Sequence, residues 1–409
     1  MNLKFFAVLT VFVSHTVSSN TTLTDDQILN KGKQLFSIPS GNKITRYLFS
    51  IPSGNEITRY LANEDLKNMA KIGLLPDDAI NELDNRFKIL HYVDGKLSPV
   101  SVRENWKRIS QMCFTDYTQC FDFADHHWSP KQAFFFGGEN PLSMTGISRR
   151  CSILVVISQE NSLKIQEKLR AGNEPLFIPA EIKGSPMNGL IIPWIPSSLD
   201  IDFCSTKIAE IYNNDVSNTY HEMKDKGQVK LAIIICGDNQ VTKEKAANRA
   251  FMAAKVIWDD LGSIPICIVA QSDLKNLKRK LGDQEDSSVI FFQGSDTHVS
   301  IFVVDTRDDE TMKRKLQNWK KMNMNFLDDQ IVNYQTIVFH FTMVNGTEPE
   351  NSEQIFKEIF PNIHLNTLRL LGKPSTVGVN YQTETGSHFV AGPTYIIIML
   401  QKFGGKIEE

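Results

Sequence analysis

Two aspartates in this chain stand where an apolar run gives way to a polar corner: Asp238, just after VKLAIIICG, and Asp305, directly after HVSIFVV. In open sheets with helical crossovers, ligands sit outside the carboxyl ends of the strands. Two carboxylates brought together there can hold a divalent cation or divide acid and base work between them. The same residue type is also the ordinary cap and turn former at a strand-to-helix corner. Both readings stand at the level of sequence.

The segment CFDFADHHWS carries the densest set of ligand types, Asp122, Asp125, His126 and His127. Carboxylate with imidazole suits zinc or iron, and Asp122 and His126, four apart, share one face if the segment is helical. Phe121, Phe123 and Trp128 pull the other way, toward a packed loop beside a disulfide. A divalent metal is the one cofactor these residues raise.

Other chemistry is weaker. There is no G-x-S-x-G, and Ser387 and His388 are neighbours that a strand would turn to opposite faces. His340, inside IVFHFTM, reads as a partly buried strand residue. The glycine-containing stretches lack the spacing of a phosphate loop or dinucleotide fingerprint. Lys278-Arg279-Lys280, Lys313-Arg314-Lys315 and Lys320-Lys321 fall near the C-terminal ends of expected helices, where cations favour the dipole. With a net charge of −3, nucleic acid is not an implied partner.

The first nineteen residues read as a secretory signal: Lys4, a nine-residue apolar stretch from Phe5 to Val13 broken only by Thr10, and small residues up to Ser19. Nine helical residues rise only ~14 Å, too little to span a bilayer. No later stretch reaches a spanning length, so a secreted, extracellular protein is expected. In that oxidising compartment six cysteines (Cys113, Cys120, Cys151, Cys204, Cys236 and Cys267) allow three bridges. Cys113 and Cys120 enclose a short loop suited to a local bridge. Cys236 and Cys267 end two apolar runs; they pair if those runs are adjacent strands, or are buried small hydrophobes. Asn20 and Asn345 each begin an N-x-T triplet open to glycosylation, and Asn345-Gly346 also reads as a surface turn.

The elements that must position these residues follow from periodicity. Residues 35–60 contain a tandem duplication, LFSIPSGNKITRY followed by LFSIPSGNEITRY, too short for a solenoid. Ile80, Leu83, Phe87 and Leu90 have helical spacing behind Pro76. Residues 91–150 look irregular, with Gly137-Gly138 and Pro141 arguing against a long element around QAFFFGG. From Cys151 onward, unalternating apolar strands are separated by helices at 162–172, 242–261, 272–281, 308–322 and 352–359. SSVIFFQ and HVSIFVVD suggest an antiparallel pair, and TVGVNYQTETGSHFVAGPTYIIIMLQKF reads as antiparallel strands.

Strands without alternation imply burial on both faces. The fold class expected is therefore α/β: a mostly parallel sheet flanked by helices with an antiparallel β-rich C-terminal part, preceded by a helical and loop-rich N-terminal region. The organisation is a signal peptide at 1–19, that N-terminal region at 20–150 and the α/β domain at 151–409. Function is expected to be binding or interaction with an extracellular ligand. The alternative is a secreted hydrolase using a metal ion or carboxylate pair at the strand ends.

Overall fold

The computed structural model describes residues 89–93, 96–98, 130–137, 152–157, 176–180, 182, 188–193, 200–204, 229–237, 245–272, 287–294, 297–323, 334–371, 375–383 and 386–401. All belong to one compact unit, Arg86–Lys402; the other unit comprises Met1–Asn85 and Phe403–Glu409. The signal sequence, the duplication, Asn20, Cys113, Cys120, Asp122, His126 and Asp238 lie outside the described residues.

In chain order the elements are β1 (Leu90–Val93), β2 (Lys96–Ser98), β3 (Pro130–Gly137), β4 (Ser152–Ile157), β5 (Leu176–Pro179), β6 (Asn188–Pro193), β7 (Asp200–Cys204) and β8 (Val229–Cys236). Then come α1 (Ala246–Leu261), β9 (Ile266–Gln271), β10 (Ser287–Gln293), β11 (Thr297–Val303), α2 (Asp309–Asn323) and β12 (Tyr334–Met343). The chain continues with α3 (Ser352–Ile359), β13 (Asn366–Leu370), β14 (Ser375–Thr383), β15 (Gly386–Ala391) and β16 (Thr394–Gln401).

The strands form three sheets, ordered β2-β1-β6-β3-β4-β5, β15-β14-β9-β8-β10-β7 and β11-β16-β12-β13. One four-strand pattern recurs in all three: β1-β6-β3-β4, β7-β10-β8-β9 and β11-β16-β12-β13. In each set the chain visits the edge strand first, then the central strand, then its parallel neighbour, and returns between edge and centre. The pairing senses repeat too: edge to return and return to centre are antiparallel, and centre to neighbour is parallel. The described residues thus contain three copies of one topological unit. The third unit sends its β14–β15 hairpin across to the second sheet, where β14 pairs antiparallel with β9.

This corrects the expected fold class. Among the described residues only β3–β4, β4–β5, β8–β9 and β12–β13 are parallel; the other pairings are antiparallel. The body is β-rich with three mixed sheets and, among the described residues, three helices. The inference that both faces of the strands are covered was sound, but the cover differs. Helices lie on one face of the second and third sheets, and the other face meets a neighbouring sheet. Ala232, Ile234 and Cys236 of β8 pack under α1 with Ile266, Ile268 and Phe291. Val338, Tyr395, Ile397 and Met399 pack under α2 and α3. Where the three sheets meet, Phe134 and Phe136 of β3, Phe292 of β10, and Phe339 and Phe341 of β12 interleave at centroid separations of 5.5–6.3 Å, all fully buried.

Local expectations are corrected in three places. Leu90, assigned to a helix by its spacing, begins β1, and QAFFFG, residues 132–137, belongs to the central strand of the first sheet rather than to a loop. β10 and β11 do not pair: β10 lies between β8 and β7, while β11 pairs with β16 in another sheet.

The helices follow local rules. α1 buries Ala246, Ala250, Ala253 and Ala254, whose small side chains let it lie close on the strands. Its first amide finds an acceptor in the hydroxyl of Ser272, just past β9 (2.9 Å), and it stops at Gly262, whose φ of 83° suits glycine. α2 is capped by Asp308, whose carboxylate accepts from the Thr311 amide at 2.8 Å. Acids open that helix and lysines close it, as the dipole favours.

Candidate functional site

The third unit holds the polar cluster with the most chemistry among the described residues. His340 and Thr342 alternate along β12, so both point to the face covered by α3. After β12 the chain turns at Asn345, whose φ is 67°, and the Gly346 amide donates to the Met343 carbonyl at 3.0 Å. Arg307 steadies this turn by donating to the carbonyls of Asn345 (2.9 Å) and Gly346 (3.1 Å). The turn brings Glu348 back over the end of the strand.

Glu348 meets His340 Nε2 at 3.0 Å, and Thr342 Oγ1 donates to its other carboxylate oxygen. On the opposite side of the ring, His340 Nδ1 lies 3.5 Å from Thr367 Oγ1 and 3.9 Å from Glu353. Arg369, on the neighbouring β13, binds Glu353 at 2.8 Å and approaches Glu348 at 3.9 Å. The imidazole stacks on Tyr395 of β16 at 4.0 Å, and Tyr395 stacks in turn on Phe356 of α3 at 4.9 Å. Burial opposes ionisation of Glu348, but His340 and the hydroxyl donors outweigh it and hold its pKa below the usual carboxylate value. Burial, then the Glu348 charge, pushes the Tyr395 phenol well above its ordinary value. The Ser352 hydroxyl lies beside both groups without closing a well-directed hydrogen bond.

The cluster contains an imidazole, a carboxylate and two hydroxyls. An activated hydroxyl donates to the base; Thr342 donates to the carboxylate instead, and Thr367 Oγ1, 3.5 Å from His340 Nδ1, makes only a long contact with the buried ring. His340 and Thr342 are fully buried. What the arrangement does is tie β12, the 344–351 turn, α3, β13 and β16 together at the carboxyl ends of a parallel pair. It reaches the surface through Arg369 and the half-exposed Glu353.

The sequence-derived candidates are distributed differently. Asp305 lies at the surface past β11 and accepts from Lys315 Nζ at 2.6 and 2.7 Å, and Asp308 is the carboxylate that caps the helix. Asp238 is outside the described residues, although the buried Arg249 donates to the carbonyl of Gly237 beside it. Asn345 is exposed on its turn, while the hydroxyl of Thr347, the third residue of its triplet, donates to the Val304 carbonyl at 2.7 Å. Lys313 pairs with Glu358 at 3.1 Å and Lys320 lies 5.8 Å from the Phe360 ring centre, so this basic helix has partners within the fold.

Cys236 and Cys267, whose pairing the sequence left open, are both buried and are not bonded to each other. β8 and β9 are adjacent, but the register sets Cys267 opposite Ile233 and Cys236 opposite Ala270. An odd offset of three residues turns the thiols to opposite faces of the sheet. Among the described residues no group of three or more His, Cys, Asp or Glu is placed to hold a metal ion, and no helix is long and apolar enough to cross a membrane.

Sequence reasoning named His340 but missed Glu348, Thr342, Arg369 and Tyr395. The available signal was two polar residues at period two in an otherwise apolar strand. No protein-family model matches the chain, and comparison with curated proteins finds no match. Its class rests on its own architecture: a β-rich body in which one four-strand unit recurs three times among the described residues, with helical crossovers in the second and third.

Proposed function

We propose that this chain is an exported binding protein that uses its three-unit body as a scaffold for loops contacting an extracellular ligand. The observation that carries the reading is the threefold recurrence of one four-strand unit around a shared phenylalanine core. Loops displayed from a well-packed framework are the usual carriers of recognition. Support also comes from the candidate site, whose charges are committed to each other and to the framework. The signal is removed near Ser19, the protein is secreted, and Asn345 carries a glycan added before Thr347 docks against Val304.

The test begins with protein purified from culture medium. N-terminal sequencing should start at Asn20, and glycosidase treatment should lower the mass of wild type but not of an Asn345→Gln variant blocked at Asn20. Labelled protein should bind animal-cell surfaces saturably, with binding kept in Asp305→Asn. A stoichiometric metal found by equilibrium dialysis, with hydrolytic activity lost in Asp238→Asn or Asp305→Asn, would replace this reading with a secreted hydrolase.

A further inference from the structure

We propose that the stacked pair His91–His364 is an acid-sensitive junction that holds β1 of the first sheet against the third unit at neutral pH and releases it when protonated. The two residues are 273 positions apart, yet their rings stack at 4.6 Å with 30° between planes. His91 belongs to β1 of the first sheet, and His364 lies on the segment leading from α3 into β13 of the third unit.

Among the described residues, the surroundings of His91 suit a neutral imidazole, while His364 is exposed on its outer side. His91 is 8% exposed, and its Nδ1 has no hydrogen-bond partner. An imidazolium needs acceptors at both nitrogens, so protonation would leave a buried N–H donor unpaired. The charged groups facing the pair are unfavourable as well: each histidine faces the other, and Lys357 of α3 stands near His364. β6 supplies only Gly189, Leu190 and Ile191 opposite β1, and β13 opens with Asn366 and Thr367. No carboxylate is among these neighbours. Burial and the neighbouring His364 accordingly lower the His91 pKa to about 3, and burial with Lys357 lowers that of His364.

Beside the phenylalanine core that β3 shares with β12, the polar ties near β1 are few and neutral, so what protonation loosens is β1 rather than the whole sheet. The Ile89 amide donates to Gln335 Oε1 at 3.1 Å, Asn188 Nδ2 donates to the Thr367 carbonyl at 2.9 Å, and Ile182 bridges Leu370. None gains strength in acid. A state in which His91 reaches water regains the ordinary pKa of 6.5, so the open form takes up the proton first. At pH 5 that preference multiplies the opening constant about thirtyfold, against a factor of about 1.3 at pH 7.

Hydrogen exchange on the full secreted chain tests this, with rates corrected for the intrinsic pH dependence of exchange. Protection of the Leu90–Val93 amides should fall roughly 20- to 30-fold between pH 7 and pH 5 in wild type. It should not fall in His91→Phe, nor in His91→Gln, which serves if the phenylalanine variant does not fold. The proposal is overturned if wild-type protection is unchanged, or if the variants lose it as wild type does. An equal loss at Ile266–Gln271 in the second sheet would also overturn it, since the effect would then belong to the whole fold.

Discussion

Replacing Glu348 by alanine isolates the energetic role of the buried cluster. The substitution removes the acceptor of the Thr342 hydroxyl and the partner of His340 Nε2, both buried, and leaves Arg369 with Glu353 alone. Each buried hydrogen bond to a charged group contributes about 1.5–3 kcal/mol. Two such bonds share the one carboxylate, so the expected destabilisation is about 3–5 kcal/mol at pH 7. In a body of this size each kcal/mol moves the unfolding midpoint by about 2 °C, which gives a fall of roughly 6–10 °C. Glu348→Gln keeps an acceptor for Thr342 and should lose only about 1–2 kcal/mol.

The effect has a defined pH dependence. The folded-state pKa of Glu348 lies below its ordinary value of 4.5, so its ionised form stabilises the native state above that value. This contribution is lost as pH falls through the depressed pKa, because the unfolded chain takes up the proton first. The gap between wild type and Glu348→Gln should therefore narrow below about pH 4.5. Urea titrations followed by circular dichroism at pH 7 and at pH 3.5 give both numbers. An alanine variant within 1 kcal/mol of wild type, or a gap unchanged between the two pH values, would refute the assignment of Glu348 as an ionised, buried partner of His340.

Two further outcomes are expected. Cys267 should resist alkylation in the native protein, burial having pushed its thiol far up; after denaturation without reductant, mass spectrometry of tryptic peptides should find it labelled. Gly189→Ala should abolish secretion of folded protein, because a Cβ there collides with the Phe134 carbonyl and the Phe135 ring where β6 crosses β3; recovery of soluble variant at wild-type yield would contradict the register.

The parts of this protein that are legible from sequence are those set by near neighbours. Helices α2 and α3 appear where spacing and terminal charge place them, since a cap such as Asp308 and a stripe such as Ile355, Phe356 and Ile359 act within a turn or two. The Asn345-Gly346 turn and the β14–β15 hairpin are equally local. Apolar runs such as VKLAIIIC announce burial on both faces, but the same run satisfies a parallel sheet under helices or a mixed sheet packed on another sheet. Strand partners decide between those, and partners here lie far apart in the chain: β11 joins β16, and β14 leaves its own unit for β9. The candidate site shows the same division. His340 and Thr342 share a face by the period of a strand, which sequence states. Arg369 and Tyr395 reach them only because β12 pairs in parallel with β13 and antiparallel with β16, in registers that set Thr342 opposite Arg369 and His340 opposite Tyr395. Those registers are fixed by what each sheet buries against its neighbours, a property of the packed chain that no single segment carries.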